Sequence, residues 1–233
     1  MIEKHLSSQF DSDLNSVCTQ LMEMGGLVES QIKRAIHSLT NFSLSEINDV
    51  LDTEARVDQM EIEIDRALTA VVARRQPAAR DLRLLLAISK ITTNLERAGD
   101  EAYKIGKRIK SLVETGETRQ MPIGDLRVAT DLATDLIHRA LDAFARLDVA
   151  AAISIYKEDD LIDCEFKGFT RKLITYMMED PRTISSSLDL LFIAKAIERI
   201  GDHAKNISEF IIYIVHGTDV RHSKLKGIED IVQ

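Results

Sequence analysis

A glutamate and an aspartate recur four positions apart in two places along the chain, each time enclosing an arginine and a glycine. Glu96-Arg97-Ala98-Gly99-Asp100 matches Glu198-Arg199-Ile200-Gly201-Asp202, offset by 102 positions. Residues i and i+4 share one helix face, so each pair presents two hard oxygen ligands side by side, the donors that iron, manganese, magnesium and calcium take. Like charges at this spacing destabilise a helix by roughly a few tenths of a kcal/mol, and an interior glycine costs about 0.8–1 kcal/mol against alanine. Both features occur twice, which points to a close backbone approach at Gly99 and Gly201, by a packed helix or by a bound group. With Leu95 and Ala98 on the packing seam, Glu96 and Asp100 point away from the core, so a solvated acidic face is the plain alternative to a metal site. Two carboxylates are too few for a tight site, and Asp58 and Asp163, at matching positions upstream, are the candidates to complete it.

Other chemistries fit less well. A di-iron bundle needs Glu-x-x-His, yet none of His5, His37, His138, His203, His216 and His222 has a glutamate three positions earlier; only Asp135 and Asp219 come near. His203, beside Asp202, reads as a surface histidine. Asn206 offers an oxygen ligand, but its counterpart in the first copy is Lys104. The stretch from Gly99 to Gly106-Lys107 has the wrong spacing for a phosphate-cradling loop and lies mid-helix, where amides are already bonded. No Ser, Cys and His constellation stands out, so neither catalysis nor an organic cofactor is expected. Cys18 and Cys164 are isolated, as befits a reducing cytoplasm.

The elements that must position these residues are helices. Only 3 Pro and 10 Gly in 233 residues, with 5% aromatic and 29% charged positions, argue against strand-rich folds. Apolar positions from Leu84 run 84, 88, 91, 95, 98, 102, 105, 109 and 112. Leu190, Ile193, Ile197, Ile200, Ala204, Ile207, Ile211 and Ile214 repeat the rhythm, a heptad seam predicting near-antiparallel packing. A third seam from Phe10 to Phe42 contains a four-residue stutter. Upstream of the doubled motif, Val57-Asp58 pairs with Ile162-Asp163 at an offset of 105, so the chain is an internal duplication. Pro77 and Pro181 mark equivalent junctions and Pro122 a central linker. Ser43-Leu44-Ser45-Glu46 reads as a capping box, with Asp148 and Ser185 as further N-caps. The predicted architecture is all-α: two tandem three-helix bundles over residues 1–118 and 119–216, each helix 25 to 35 residues long, then a polar tail over 217–233.

A net charge of −8 argues against nucleic acid and anionic bilayers as direct partners. Met1-Ile2-Glu3-Lys4-His5 lacks the apolar core of a signal peptide, and the longest apolar run, Phe210 to Val215, is too short to span a bilayer. A cytoplasmic location is expected.

The chain resembles the PhoU family of bacterial phosphate-transport accessory and regulatory proteins. The resemblance runs through Gln9-Phe10-Asp11, Met24-Gly25-Gly26-Leu27-Val28-Glu29, the segment from Arg75-Gln76-Pro77 to Leu82-Arg83, both Glu-Arg-x-Gly-Asp copies and Asp219-Val220-Arg221-His222. It implies tandem three-helix bundles of PhoU-like, spectrin-like arrangement, often as a homodimer, and no enzymatic activity. It further implies negative regulation of the phosphate response and modulation of phosphate uptake. The implied partners are the phosphate ABC transporter, through its ATPase PstB, and the sensor histidine kinase PhoR, with the membrane met only through them. Phosphate status would then be sensed through the transporter's conformation. Some members carry surface metal, which maps here onto Glu96, Asp100, Glu198 and Asp202, with iron, manganese, magnesium or zinc as the expected ion. Lys104 stands where metal-binding members often have Asn, which sets the first site apart. The alternatives are a helical metal-storage or redox protein and a structural helical spacer.

Overall fold

The structure, a computed structural model, describes residues 8–77, 79–116, 122–221, 223 and 225–232. Helices α1 (Ser8–Asn41), α2 (Leu44–Arg75) and α3 (Ala79–Thr115) form the first bundle, and α4 (Arg127–Arg146), α5 (Val149–Glu179) and α6 (Ile184–His216) the second. No strand occurs among the described residues, and none of their helices is long and apolar enough to cross a membrane. Every predicted seam residue of α3 and α6 is buried, as are those of α1 from Phe10 to Leu39.

The bundles also pack against each other. α3 lies along α6 and α1 touches α4, so α3 and α6 each have neighbours on three sides. Arg108 of α3 reaches Asp189 of α6 at 2.8 Å and stacks 4.3 Å over Phe192, while Glu29 of α1 receives His138 of α4 at 3.1 Å.

Helix ends differ from the sequence reading where a side chain had a better partner. Ser43 accepts from the Glu46 amide at 3.4 Å, but the Glu46 carboxylate turns to His37 and Asn41, and Asn41 Oδ1 takes the Ser43 amide instead, so only half of the capping box forms. Asp148 caps α5 through the Ala151 amide at 3.0 Å. Ser185 does not cap α6. Asp180 takes the Arg182 amide at 3.0 Å and opens a 3-10 turn over Pro181–Thr183, which leads into α6 at Ile184 and leaves Ser185 inside its first turn. A second 3-10 turn, Ile123–Leu126, leaves α4 at 20 residues, shorter than predicted.

Beyond Gly217, in the left-handed region at φ 76°, the chain folds back onto the second bundle. Val220 and Ile228 are buried, Tyr156 donates to the Ser223 carbonyl at 3.2 Å, and Leu225–Val232 forms α7. The segment read as a polar tail thus contributes apolar residues to the core.

Candidate functional site

Each copy of the doubled motif faces a second acid pair on the neighbouring helix. Around Gly99, the side chains that approach are Gln31, Val57 and Glu54; around Gly201 they are Ile162 and Asp159. Glu54 and Asp159 occupy equivalent positions in the two halves, four residues before Asp58 and Asp163. The sequence therefore carries two doubled acid pairs, and the fold sets α2 against α3 and α5 against α6 so that they face. Glu54-x-x-x-Asp58 meets Glu96-x-x-x-Asp100, and Asp159-x-x-x-Asp163 meets Glu198-x-x-x-Asp202.

The glycines permit this approach. A Cβ on Gly99 would lie 3.0 Å from Gln31 Oε1, and one on Gly201 would lie 2.6 Å from Ile162 Cδ1 and 3.2 Å from Asp159 Oδ1. Of the two accounts left open for the repeated glycine, helix packing is what the structure shows.

The motif carboxylates do not simply face water as the heptad assignment implied. Glu96, Asp100 and Asp202 are partly buried, and Glu198 is only 9% exposed. The seam argument allowed each helix one packed face, whereas α3 and α6 are packed on three sides. Burial first, and then the charges of Asp100 and Asp58, push the Glu54 carboxyl up to about 7, against the hydrogen bond from Gln31. Glu96 is raised by burial and by Glu61, Asp100 and Asp58. Asp202 is pushed up to about 6 by burial, Glu198 and Asp159. Buried like charges favour whatever neutralises them, a proton or a cation.

The two clusters are neutralised unequally. In the second, Lys195 bonds Glu198, Lys205 reaches Asp159 at 2.8 Å and Lys167 reaches Asp163 at 3.7 Å. In the first, Lys104 reaches Asp100 at 3.2 Å but also Glu101 at 3.0 Å, and no described cation forms an ion pair with Glu54, Asp58 or Glu96. Gln31 is fully buried there. Its amide nitrogen donates to the Val50 carbonyl and to Glu54, while its Oε1 has no hydrogen-bond partner. Carboxylates and an unpartnered amide oxygen are donors of the kind a hard cation takes. As they stand, no three described His, Cys, Asp or Glu side chains converge closely enough to hold an ion, so uptake requires side-chain rotation.

Asp100 and Asp202 line one cleft of about 800 Å³ between α3 and α6, whereas Glu96 and Glu198 do not line it. His203, read as a surface residue, is partly buried in that cleft. Its Nδ1 lies 3.1 Å from Asn94 Oδ1, and burial holds its pKa down to about 4. Sequence reasoning missed Glu54 and Asp159. The available signal was an acid on an otherwise apolar seam, between Val50 and Val57 and between Ile155 and Ile162, in both halves.

Comparison with known proteins gives one family throughout. The family described as the PhoU domain matches residues 21–109 and again 126–211, one match in each half. A Burkholderia protein named phosphate-specific transport system accessory protein PhoU homolog is 52% identical over 223 residues, covering 95% of both chains. The Escherichia coli K12 protein named phosphate-specific transport system accessory protein PhoU is 44% identical, covering 95% of this chain and 91% of its own. Among solved structures, PhoU from Pseudomonas aeruginosa superposes with a TM-score of 0.87 at 42% identity, over 90% of this chain and all of that one. The phosphate transport system regulatory protein PhoU from Streptococcus pneumoniae gives 0.83 at 25% identity, over 91% and 99%.

Proposed function

The chain belongs to the PhoU family, and on that premise we propose that it is an accessory protein of phosphate-specific transport that acts as a negative regulator of the phosphate response and a modulator of phosphate uptake. Its role is that of an adaptor, joining the ATPase of the phosphate ABC transporter to the sensor histidine kinase in the cytoplasm, as a homodimer. The observation that carries the reading is the extent of the likeness: relatives named for phosphate transport match both bundles over 95% of this chain. The architecture suits the role. Helices of 31 to 37 residues, with α4 and α7 as the short exceptions, present long rigid faces of the kind partner helices dock against. Purified tagged chain mixed with ATPase and kinase tests the adaptor directly. Retention of both under high phosphate is the expected result, and recovery of neither refutes it.

The facing acid pairs favour a second property, a bound metal ion at each motif. Glu96 and Asp100 with Glu54 and Asp58, and Glu198 and Asp202 with Asp159 and Asp163, would hold it. The ion would supply the positive charge that Glu54, Asp58 and Glu96 of the first cluster lack, Lys104 reaching only Asp100 among the cluster's four acids. Metal content of the purified chain, read by mass spectrometry, is expected to fall when Glu198→Ala is combined with Asp202→Ala, and likewise for Glu96→Ala with Asp100→Ala. Unchanged iron, manganese, magnesium and zinc in both double variants rules the sites out.

A further inference from the structure

The cleft between α3 and α6 receives the arginines of both motif copies, Arg97 from one side and Arg199 from the other. Arg97 is exposed and makes no hydrogen bond or ion pair with another described residue. Arg199 places only Nη1 on Glu101, at 3.1 Å, which leaves most of its fork unused. Glu101 is 5% exposed and also takes Lys104 at 3.0 Å, so one buried carboxylate anchors two of the cleft's cations.

Acceptors line the same space, Asp100, Asp202 and His203 among them, and Asn94, outside the lining, sets the histidine's tautomer. Asn94 donates its amide to the Lys90 carbonyl at 2.8 Å and receives Asn206 on Oδ1 at 3.0 Å, which makes Oδ1 an acceptor. His203 therefore carries its proton on Nδ1 toward Asn94, and its Nε2 is left as an acceptor. Glu209 lines the cleft while only 6% exposed.

Converging guanidiniums bind oxyanions in bidentate fashion. Acceptors among them select an oxyanion that brings protons of its own. Hydrogen phosphate does so, a nucleoside monophosphate brings ribose hydroxyls beside its phosphate, and sulfate brings neither. A volume of about 800 Å³ admits either of the first two. We propose that this cleft binds a phosphate group, free or carried on a small organic molecule. Arg97 and Arg199 hold its oxygens, and His203 and Glu209 accept its protons or those of its hydroxyls. The chain would then have a direct route to phosphate status beside the one through its partners, and the inference stands whether or not the adaptor reading holds.

Calorimetric titration of the purified full chain with potassium phosphate, AMP and potassium sulfate, at neutral pH and fixed ionic strength, tests it. Saturable binding of phosphate or AMP without saturable binding of sulfate is the expected result. The tighter of the first two identifies the source of the phosphate group. Arg97→Gln, a change at an exposed and unbonded residue, weakens binding about tenfold, the loss of one charge-assisted contact, with the helical circular dichroism unchanged. No saturation by phosphate or AMP up to about 10 mM overturns the proposal. So does sulfate binding as tightly as phosphate, or an Arg97→Gln chain that binds like the wild type.

Discussion

Gly201→Ala and Gly168→Ala are the same chemical change in helix interiors, and the packing predicts opposite signs for them. Alanine in place of an interior glycine stabilises a helix by about 0.8–1 kcal/mol through propensity alone. At Gly168 the position is exposed and an added Cβ meets nothing within 4 Å, so that full gain is expected. At Gly201 the Cβ falls 2.6 Å from Ile162 Cδ1, where roughly 3.5–4.0 Å is ordinary contact. Ile162 is 1% exposed, so its terminal methyl has little room to turn, and overpacking of this kind costs about 1–3 kcal/mol. The remainder after the propensity gain is a loss of roughly 0–2 kcal/mol at Gly201. For a chain of this length 1 kcal/mol moves the melting temperature by about 2–4 °C, so Gly168→Ala raises Tm by that amount while Gly201→Ala lowers it or leaves it unchanged. Paired thermal melts by circular dichroism, with urea midpoints as a check on ligand effects, read the difference. A Gly201→Ala chain stabilised as much as Gly168→Ala would show that α5 does not approach α6 closely enough to set Asp159 against Asp202.

Three further outcomes follow, two from the charge arrangement and one from the packing. Arg139 forks onto Glu158 at 2.6 and 2.8 Å and holds its carboxyl down to about 2 from 4.5; this stabilisation is present above pH 4.5 and is lost as pH falls through 2, so the Tm gap between wild type and Arg139→Gln narrows from pH 5 to pH 2, and a constant gap refutes the coupling. Burial first, with Asp219 and Asp159 also contributing, raises Glu209 to about 7 against Lys205 and Arg221. The folded chain then binds more protons than the unfolded one between 4.5 and 7, and stability falls with rising pH across that window. Glu209→Gln does not titrate, so its Tm advantage over the wild type grows from pH 5 to pH 8; an equal difference at both pH values contradicts the assignment. Gly26→Ala, at an exposed site with nothing within 4 Å, raises Tm like Gly168→Ala, whereas Gly25→Ala does not, because its Cβ would lie 2.4 Å from Leu141 Cδ2 across the α1–α4 contact.

The helices were legible because seam positions such as Ile88, Ile91 and Leu95 carry a single periodic signal that survives whatever else packs on the helix. The exposure of Glu96 and Glu198 was not. It depends on the helix that faces each motif within its own bundle, α2 beside Glu96 and α5 beside Glu198, and the seam of α3 or α6 alone does not show how closely that neighbour approaches. Within the site, the recurrence of Glu-x-x-x-Asp drew attention to Asp100 and Asp202, which line the cleft between α3 and α6. The opposing Glu54 and Asp159 hid among apolar seam residues, where an acid reads as an interruption. The final segment misled through composition. Val220 and Ile228 are isolated apolar residues in a polar stretch, and their burial follows from the turn at Gly217, which returns the chain to the bundle.

Regulation of the phosphate response is the central claim, and the expression of alkaline phosphatase in cells grown at high phosphate measures it most directly. With this chain deleted from its own host, the account predicts derepressed alkaline phosphatase, returned to the repressed level by the wild-type chain. Repression that persists in the deleted strain contradicts it.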